Sequence, residues 1–174
     1  MNPPVVVFDG AEDYHALIND PALYLDETCI LAMRYAGPLG WPGSAEVVNM
    51  QPPDRPINAG VESLPCIGDG RQSGTSDSPS ILHVSPEAAL GGGLALLRDG
   101  DRLMVDLDQG RCDVALSKEE LAERMAEAGT KIVTPNTLWD KLFMEDTTQL
   151  SNGMVLRGTP EMRNTSARLP KHNH

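Results

Sequence analysis

The sequence predicts an α+β chain, and three observations carry that prediction. Short apolar or β-branched runs of strand length recur along it, at residues 4–8 (PVVVF), 29–35 (CILAMRY) and 63–67 (SLPCI), each closed by Gly, Pro or Asp. Residues 102–107 and 111–116 alternate apolar and polar around Asp108-Gln109-Gly110, which spells a β-hairpin. Ser117-Lys118-Glu119-Glu120 is a capping box, Leu121 and Met125 follow four apart, and Gly129 stops the helix it starts.

The remaining elements follow in order. Residues 12–18 suit a short helix after the Asp9-Gly10 turn. Residues 37–43 (GPLGWPG) break the second strand with Gly and Pro, and residues 44–50 (SAEVVNM) then read as a helix start. After the third strand, residues 68–76 (GDGRQSGTS) are almost entirely small or polar, a second glycine-rich loop. Residues 86–90 suit one or two helical turns, ended by Gly91-Gly92-Gly93 before the apolar residues 94–97. A further short helix is expected at residues 138–143, and from Ser151 the chain is polar and turn-rich to its close at Pro170-Lys171-His172-Asn173-His174.

Composition bounds the function. A length of 174 residues is a single domain's worth, and a net charge of −11 disfavours nucleic-acid backbones and anionic membranes as partners. With 16 Gly, 14 Pro and only 4% aromatics, the chain needs many turns and a core of Val, Leu, Ile and Ala. No run reaches the ~18–20 apolar residues of a membrane span, and the opening Met1-Asn2-Pro3-Pro4 lacks a secretory signal's charged start and apolar centre, so a cytoplasmic chain is expected. Cys29, Cys66 and Cys112 lie far apart in apolar stretches without a CxxC, and read as buried, reduced thiols in strands.

Chemistry is expected in the two glycine-rich loops, because loops after strands expose backbone N–H groups at a sheet edge. Neither fits a dinucleotide fingerprint or a P-loop, and Ser73 in RQSG is not in a GxSxG elbow. From composition alone Glu46 reads as an acid at a helix N-terminus, His83 as a core histidine, and Asp69 and Arg71 as a pair across a turn.

The strings AGPLGWPGSAEVVNM, LPCIGDGRQSGTS and HVSPEAALGGGLALLRDGDR, in this order and spacing, resemble the dihydroxy-acid dehydratase / 6-phosphogluconate dehydratase family. The resemblance covers residues 4–128, and GDGRQSGTS with the closing HNH is most similar to the sugar-acid branch, the arabinonate and xylonate dehydratases. It implies that residues 1–174 form the C-terminal domain of a two-domain hydro-lyase, with the core at 4–128 and a C-terminal helix and tail at 129–174. The implied fold is a swivelling mixed β-barrel with flanking helices, like the mobile domain of aconitase. The N-terminal domain, expected to lie outside this sequence, would hold a 2Fe–2S iron–sulfur cluster and most magnesium ligands.

Carried over position by position, the resemblance makes Glu46 a magnesium ligand and Ser73 the catalytic base. It makes Thr75 a neighbouring catalytic hydroxyl, and it places Ser73, Gly74 and Thr75 against the substrate. His174 is expected to reach a sugar acid in its own or a neighbouring active site. The implied reaction removes water from a 2,3-dihydroxy acid to give a 2-keto-3-deoxy acid, in a homo-oligomer, with this chain inactive by itself. Three other readings stay open: a non-catalytic binding or assembly domain that keeps the fold, a dihydroxy-acid dehydratase of branched-chain amino-acid biosynthesis, and an isomerase small subunit, which GDGRQSGTS disfavours.

Overall fold

The computed structural model describes residues 3–53, 60–74 and 76–159. Strands β1 (Val5–Asp9), β2 (Ile30–Arg34), β3 (Cys66–Gly68) and β4 (Ser80–Ile81) lie side by side in chain order and run parallel. Val5 stands opposite Ile30, Leu31 opposite Cys66, and Cys66 opposite Ser80. A parallel sheet is covered on both faces, which explains why VVVF and ILAM are unbroken apolar runs rather than alternating ones.

The pleat divides those runs between two cores. Val6, Phe8, Leu31, Met33 and Cys66 face one side, where Ile18, Leu25, Val48, Met50 and Leu64 complete the packing. Val5, Ile30, Ala32 and Ile67 face the other, against Ala88, Leu94, Leu97 and Leu103. Helix α1 (Ala11–Leu17) follows β1, and its Tyr14 meets Phe8 edge to face with ring centroids 5.4 Å apart.

Strands β5 (Leu103–Asp106) and β6 (Arg111–Val114) form the expected antiparallel hairpin. A bridge between Pro4 and Arg102 tacks it beside β1, with Val5 N–H donating to Asp101 O at 2.8 Å. Helices α2 (Lys118–Ala128) and α3 (Leu138–Asp146) both open on capping boxes, Ser117 with Glu120 and Thr137 with Asp140, and neither contains a buried residue. No helix among the described residues is long and apolar enough to cross a membrane.

Several expectations need correcting. The chain is mixed α/β, and among the described residues no barrel closes: β4 pairs only with β3, and β6 only with β5. Between them lies an open apolar cleft of about 340 Å³ lined by residues such as Ile67, Ile81, Leu94, Leu103 and Val114. Residues 44–50 are not helical; Ser44 has a φ of 44°, and Val48 N–H is spent on Arg71 O rather than on a residue four back. The turns at residues 86–97 are 3-10 helices, Ala88–Leu90 and Gly93–Leu96. Cys112 is exposed because a two-stranded hairpin turns one face to water, whereas Cys29 and Cys66 are buried. His83 is exposed with a φ of 55°, at the start of a loop rather than in the core.

Candidate functional site

In an open parallel sheet, ligands bind outside the carboxyl ends of the strands, where the following loops converge. Here the loops after β2, β3 and β4 meet at that edge. The first is shaped by its sequence: Trp41 N–H donates to Gly37 O at 2.8 Å, Ser44 N–H donates to Trp41 O at 2.8 Å, and a Cβ on Gly40 would stand 2.7 Å from Tyr35 O. Glycine is therefore required where this loop folds back on the strand end.

The loops are laced to one another through backbone. Val48 N–H donates to Arg71 O at 2.9 Å, Arg71 Nε donates to Ser44 O at 2.6 Å, and Ser44 Oγ donates to Ala36 O at 3.1 Å. A Cβ on Gly68 would lie 2.8 Å from Val48 Cγ1, so the two glycine-rich segments approach more closely than side chains permit. From the loop after β4, His83 N–H donates to Gly70 O at 3.2 Å and Val84 N–H to Gly68 O at 3.1 Å.

Two fully buried carboxylates brace this edge. Asp69 accepts N–H bonds from Tyr35 at 3.2 Å, Ala36 at 2.9 Å and Ala88 at 2.7 Å. Burial pushes its pKa up, and the nearby Glu87 charge adds to that rise, against the opposing pull of the three N–H donors. Glu87 Oε2 accepts from Leu39 N–H at 2.9 Å and Gly40 N–H at 3.0 Å, while its Oε1 accepts from Gln149 Nε2 at 2.6 Å. Asp69 does not pair with Arg71 as the turn chemistry predicts, and Glu87, to which the sequence assigns no role, is buried. The sequence signal for both is an acid set directly beside glycines or alanines, GDG and PEAA, where a carboxylate can reach the backbone of another segment.

Glu46 is exposed, and among the described residues its carboxylate makes no hydrogen bond or ion pair. It lies between Ser44 and Val48, the two residues tied to Arg71, and Ser73 follows Arg71 by two positions, so the lacing sets their segments alongside each other. Ser73 is half-buried, and its carbonyl accepts from Ser76 N–H at 3.1 Å. Next to it, Gln72 Oε1 is buried with no partner among the described residues, an acceptor open to an O–H or N–H donor. Gly74 is exposed with open space where a Cβ would project. Thr75 and His174 lie outside the described residues.

Magnesium takes oxygen ligands and is often held by only one or two carboxylates, so Glu46 fits as a single contribution to such a site. Among the described residues no three His, Cys, Asp or Glu side chains group to complete one. An iron–sulfur cluster does not fit these cysteines. Cys29 and Cys66 are buried apart from the exposed Cys112, no three such ligands group among the described residues, and burial raises the thiol pKa values of Cys29 and Cys66, away from the thiolate a cluster requires.

A family model described as Dihydroxy-acid/6-phosphogluconate dehydratase C-terminal matches residues 1–154. The chain is 52% identical over 169 residues to a D-xylonate dehydratase of Caulobacter vibrioides, covering 97% of this chain and 28% of that protein. It is 46% identical over 122 residues to an L-arabinonate dehydratase of Rhizobium leguminosarum, covering 70% of this chain and 21% of that protein. To a dihydroxy-acid dehydratase of Archaeoglobus fulgidus it is 43% identical over 103 residues, 59% of this chain and 18% of that one. The chain thus spans about a quarter of the length of such relatives.

Proposed function

The chain belongs to the dihydroxy-acid/6-phosphogluconate dehydratase C-terminal family, and from that footing we propose that it supplies one wall of the active site of a sugar-acid dehydratase. The lacing of the Glu46 and Ser73 segments at the carboxyl edge of the sheet carries this reading. The substrate is a 2,3-dihydroxy sugar acid, for which the D-xylonate and L-arabinonate dehydratases among the relatives speak most directly.

Ser73 Oγ, as the alkoxide, takes the proton from C2. The C3–O bond breaks, the hydroxyl takes a proton from solvent and leaves as water, and Ser73 returns its own proton to solvent; the enol then loses its O–H proton and takes a solvent proton at C3 to become a 2-keto-3-deoxy acid. Glu46 holds a magnesium ion, which when bound supplies positive charge for the substrate carboxylate and C2 oxygen. A serine is a base only beside such charge, so Ser73 depends on a complete site. Thr75, Gly74 and His174 contact the substrate in this reading. A 2Fe–2S cluster belongs to the N-terminal domain, the partner of this one. The working enzyme is a cytoplasmic homo-oligomer, and this chain alone is inactive.

The test uses the full-length protein with D-xylonate, L-arabinonate and a branched 2,3-dihydroxy acid in D2O with magnesium. A 2-keto-3-deoxy acid carrying one deuterium at C3 is expected from a sugar acid. Exclusive turnover of the branched acid would assign the chain to branched-chain amino-acid biosynthesis, and no keto acid from any substrate would leave the assembly-domain reading.

A further inference from the structure

We propose that Glu87 and Gln149 form a latch by which the C-terminal segment fixes the loop after β2, and so are positioning residues for Glu46. Glu87 is fully buried, and no cation pairs with it among the described residues, so its charge rests on hydrogen-bond donors alone. Those donors come from two distant segments: Leu39 and Gly40, 48 and 47 residues before it, and Gln149, 62 residues after it. The contact with Gln149 is reciprocal, since Glu87 N–H donates to Gln149 Oε1 at 3.4 Å. Leu39 is held from its other side as well, its carbonyl accepting from Val133 N–H at 3.3 Å. A Cβ on Gly37 would lie 2.6 Å from Glu87 Oε2, so the loop has glycine where the carboxylate presses against it.

Residues 37–43 lead directly into Glu46, and Leu39 and Gly40 are gripped by groups that the segment from Val133 to Gln149 supplies or satisfies. Undocking that segment would leave a buried carboxylate with one donor fewer and free the loop. Glu46 would then lose its place beside the Arg71 strip while the sheet stayed intact.

The test is a reciprocal exchange in the full-length protein. Gln149→Glu keeps the size but sets a second carboxylate against Glu87 Oε1. Glu87→Gln with Gln149→Glu restores the bond between the two side chains, because the new amide at 87 donates to the carboxylate at 149 while its oxygen still accepts from Leu39 and Gly40; only the longer second contact of Leu39 N–H, to Oε1 at 3.2 Å, is given up. Hydrogen exchange at the Leu39 and Gly40 amides should rise about tenfold or more in Gln149→Glu, with β1 and β2 unchanged, and return near wild type in the double variant. Should Gln149→Glu unfold the protein, Gln149→Met keeps the volume without the donor and is read the same way. The kinetic arm rests on the dehydratase reading: half-saturation by magnesium should rise about tenfold in the single variant, with kcat at saturating magnesium retained. Unchanged exchange, or a double variant no better than the single, overturns the latch. Exchange that follows the latch in a protein without dehydratase activity upholds it and sinks the functional reading alone.

Discussion

The parallel sheet and the two C-terminal helices of this chain are stable for different reasons. Phe8, Leu31 and Met33 in and beside β1 and β2 are wholly buried, whereas α2 and α3 bury no residue and leave Leu138 and Trp139 more than 70% exposed. The sheet is held by apolar burial between two cores; the helices are held at their ends, by capping boxes, and by single ties such as Arg124 to Asp101. The candidate site lies at the edge of the first region, and the residues on either side of α3, Val133 and Gln149, are the ones that bond to its first loop and to Glu87.

The largest effect that would break this contrast is in the sheet. Leu31→Ala should cost about 2–5 kcal/mol of global stability, read from denaturant unfolding, because Leu31 is 0% exposed in the central part of the sheet. Ser117→Ala removes the acceptor for Glu120 N–H at 3.1 Å. It should cost about 1 kcal/mol, seen as faster amide exchange confined to α2. Leu142→Ala on α3 should stay within about 0.5 kcal/mol. A loss there as large as that of Leu31→Ala would show that α3 is packed against something else in the protein.

Two carboxylates sharpen the same comparison through pH. Asp69, raised by burial from the ordinary value of 3.8, binds its proton more tightly folded than unfolded, so its contribution is present at low pH and is lost as pH rises from 3.8 through the raised value. Glu120, lowered from 4.5 by the Ser117 N–H and hydroxyl, contributes above 4.5 and loses that contribution as pH falls through the lowered value. Unfolding curves of Asp69→Asn and Glu120→Gln against wild type should therefore diverge with opposite slopes in acid. Equal slopes would contradict the contrast between a desolvated and a solvated carboxylate.

Strands β1 to β3, the hairpin and the capped helix α2 are legible in the sequence because each rests on local chemistry: apolar runs, a turn tripeptide, a cap; β4, two residues long, gives no such signal, and the Thr137 capping box of α3 emerges only in the structure. What was not legible depends on distant partners. Residues 44–50 have helix-forming composition, yet Val48 N–H goes to Arg71, so the segment is spent bridging loops. Asp69 reads as a partner of Arg71 across a turn and nothing local singles out Glu87, and only the arrival of backbone N–H groups from residues 35–40 and 88 makes their burial tolerable. The two segments that carry Glu46 and Ser73 were recognisable as strings, but their lacing is a property of the fold.

The most direct measurement of the central claim is steady-state turnover of a sugar acid by the full-length protein carrying Ser73→Ala or Glu46→Gln, each titrated with magnesium. The two residues are predicted to fail differently at one site. Ser73→Ala should lower kcat by about 10²–10⁴-fold at an unchanged magnesium half-saturation and KM. Glu46→Gln should instead shift the magnesium titration to higher concentration. Wild-type turnover in Ser73→Ala, together with an unmoved magnesium titration in Glu46→Gln, would contradict the assignment of the site to these loops.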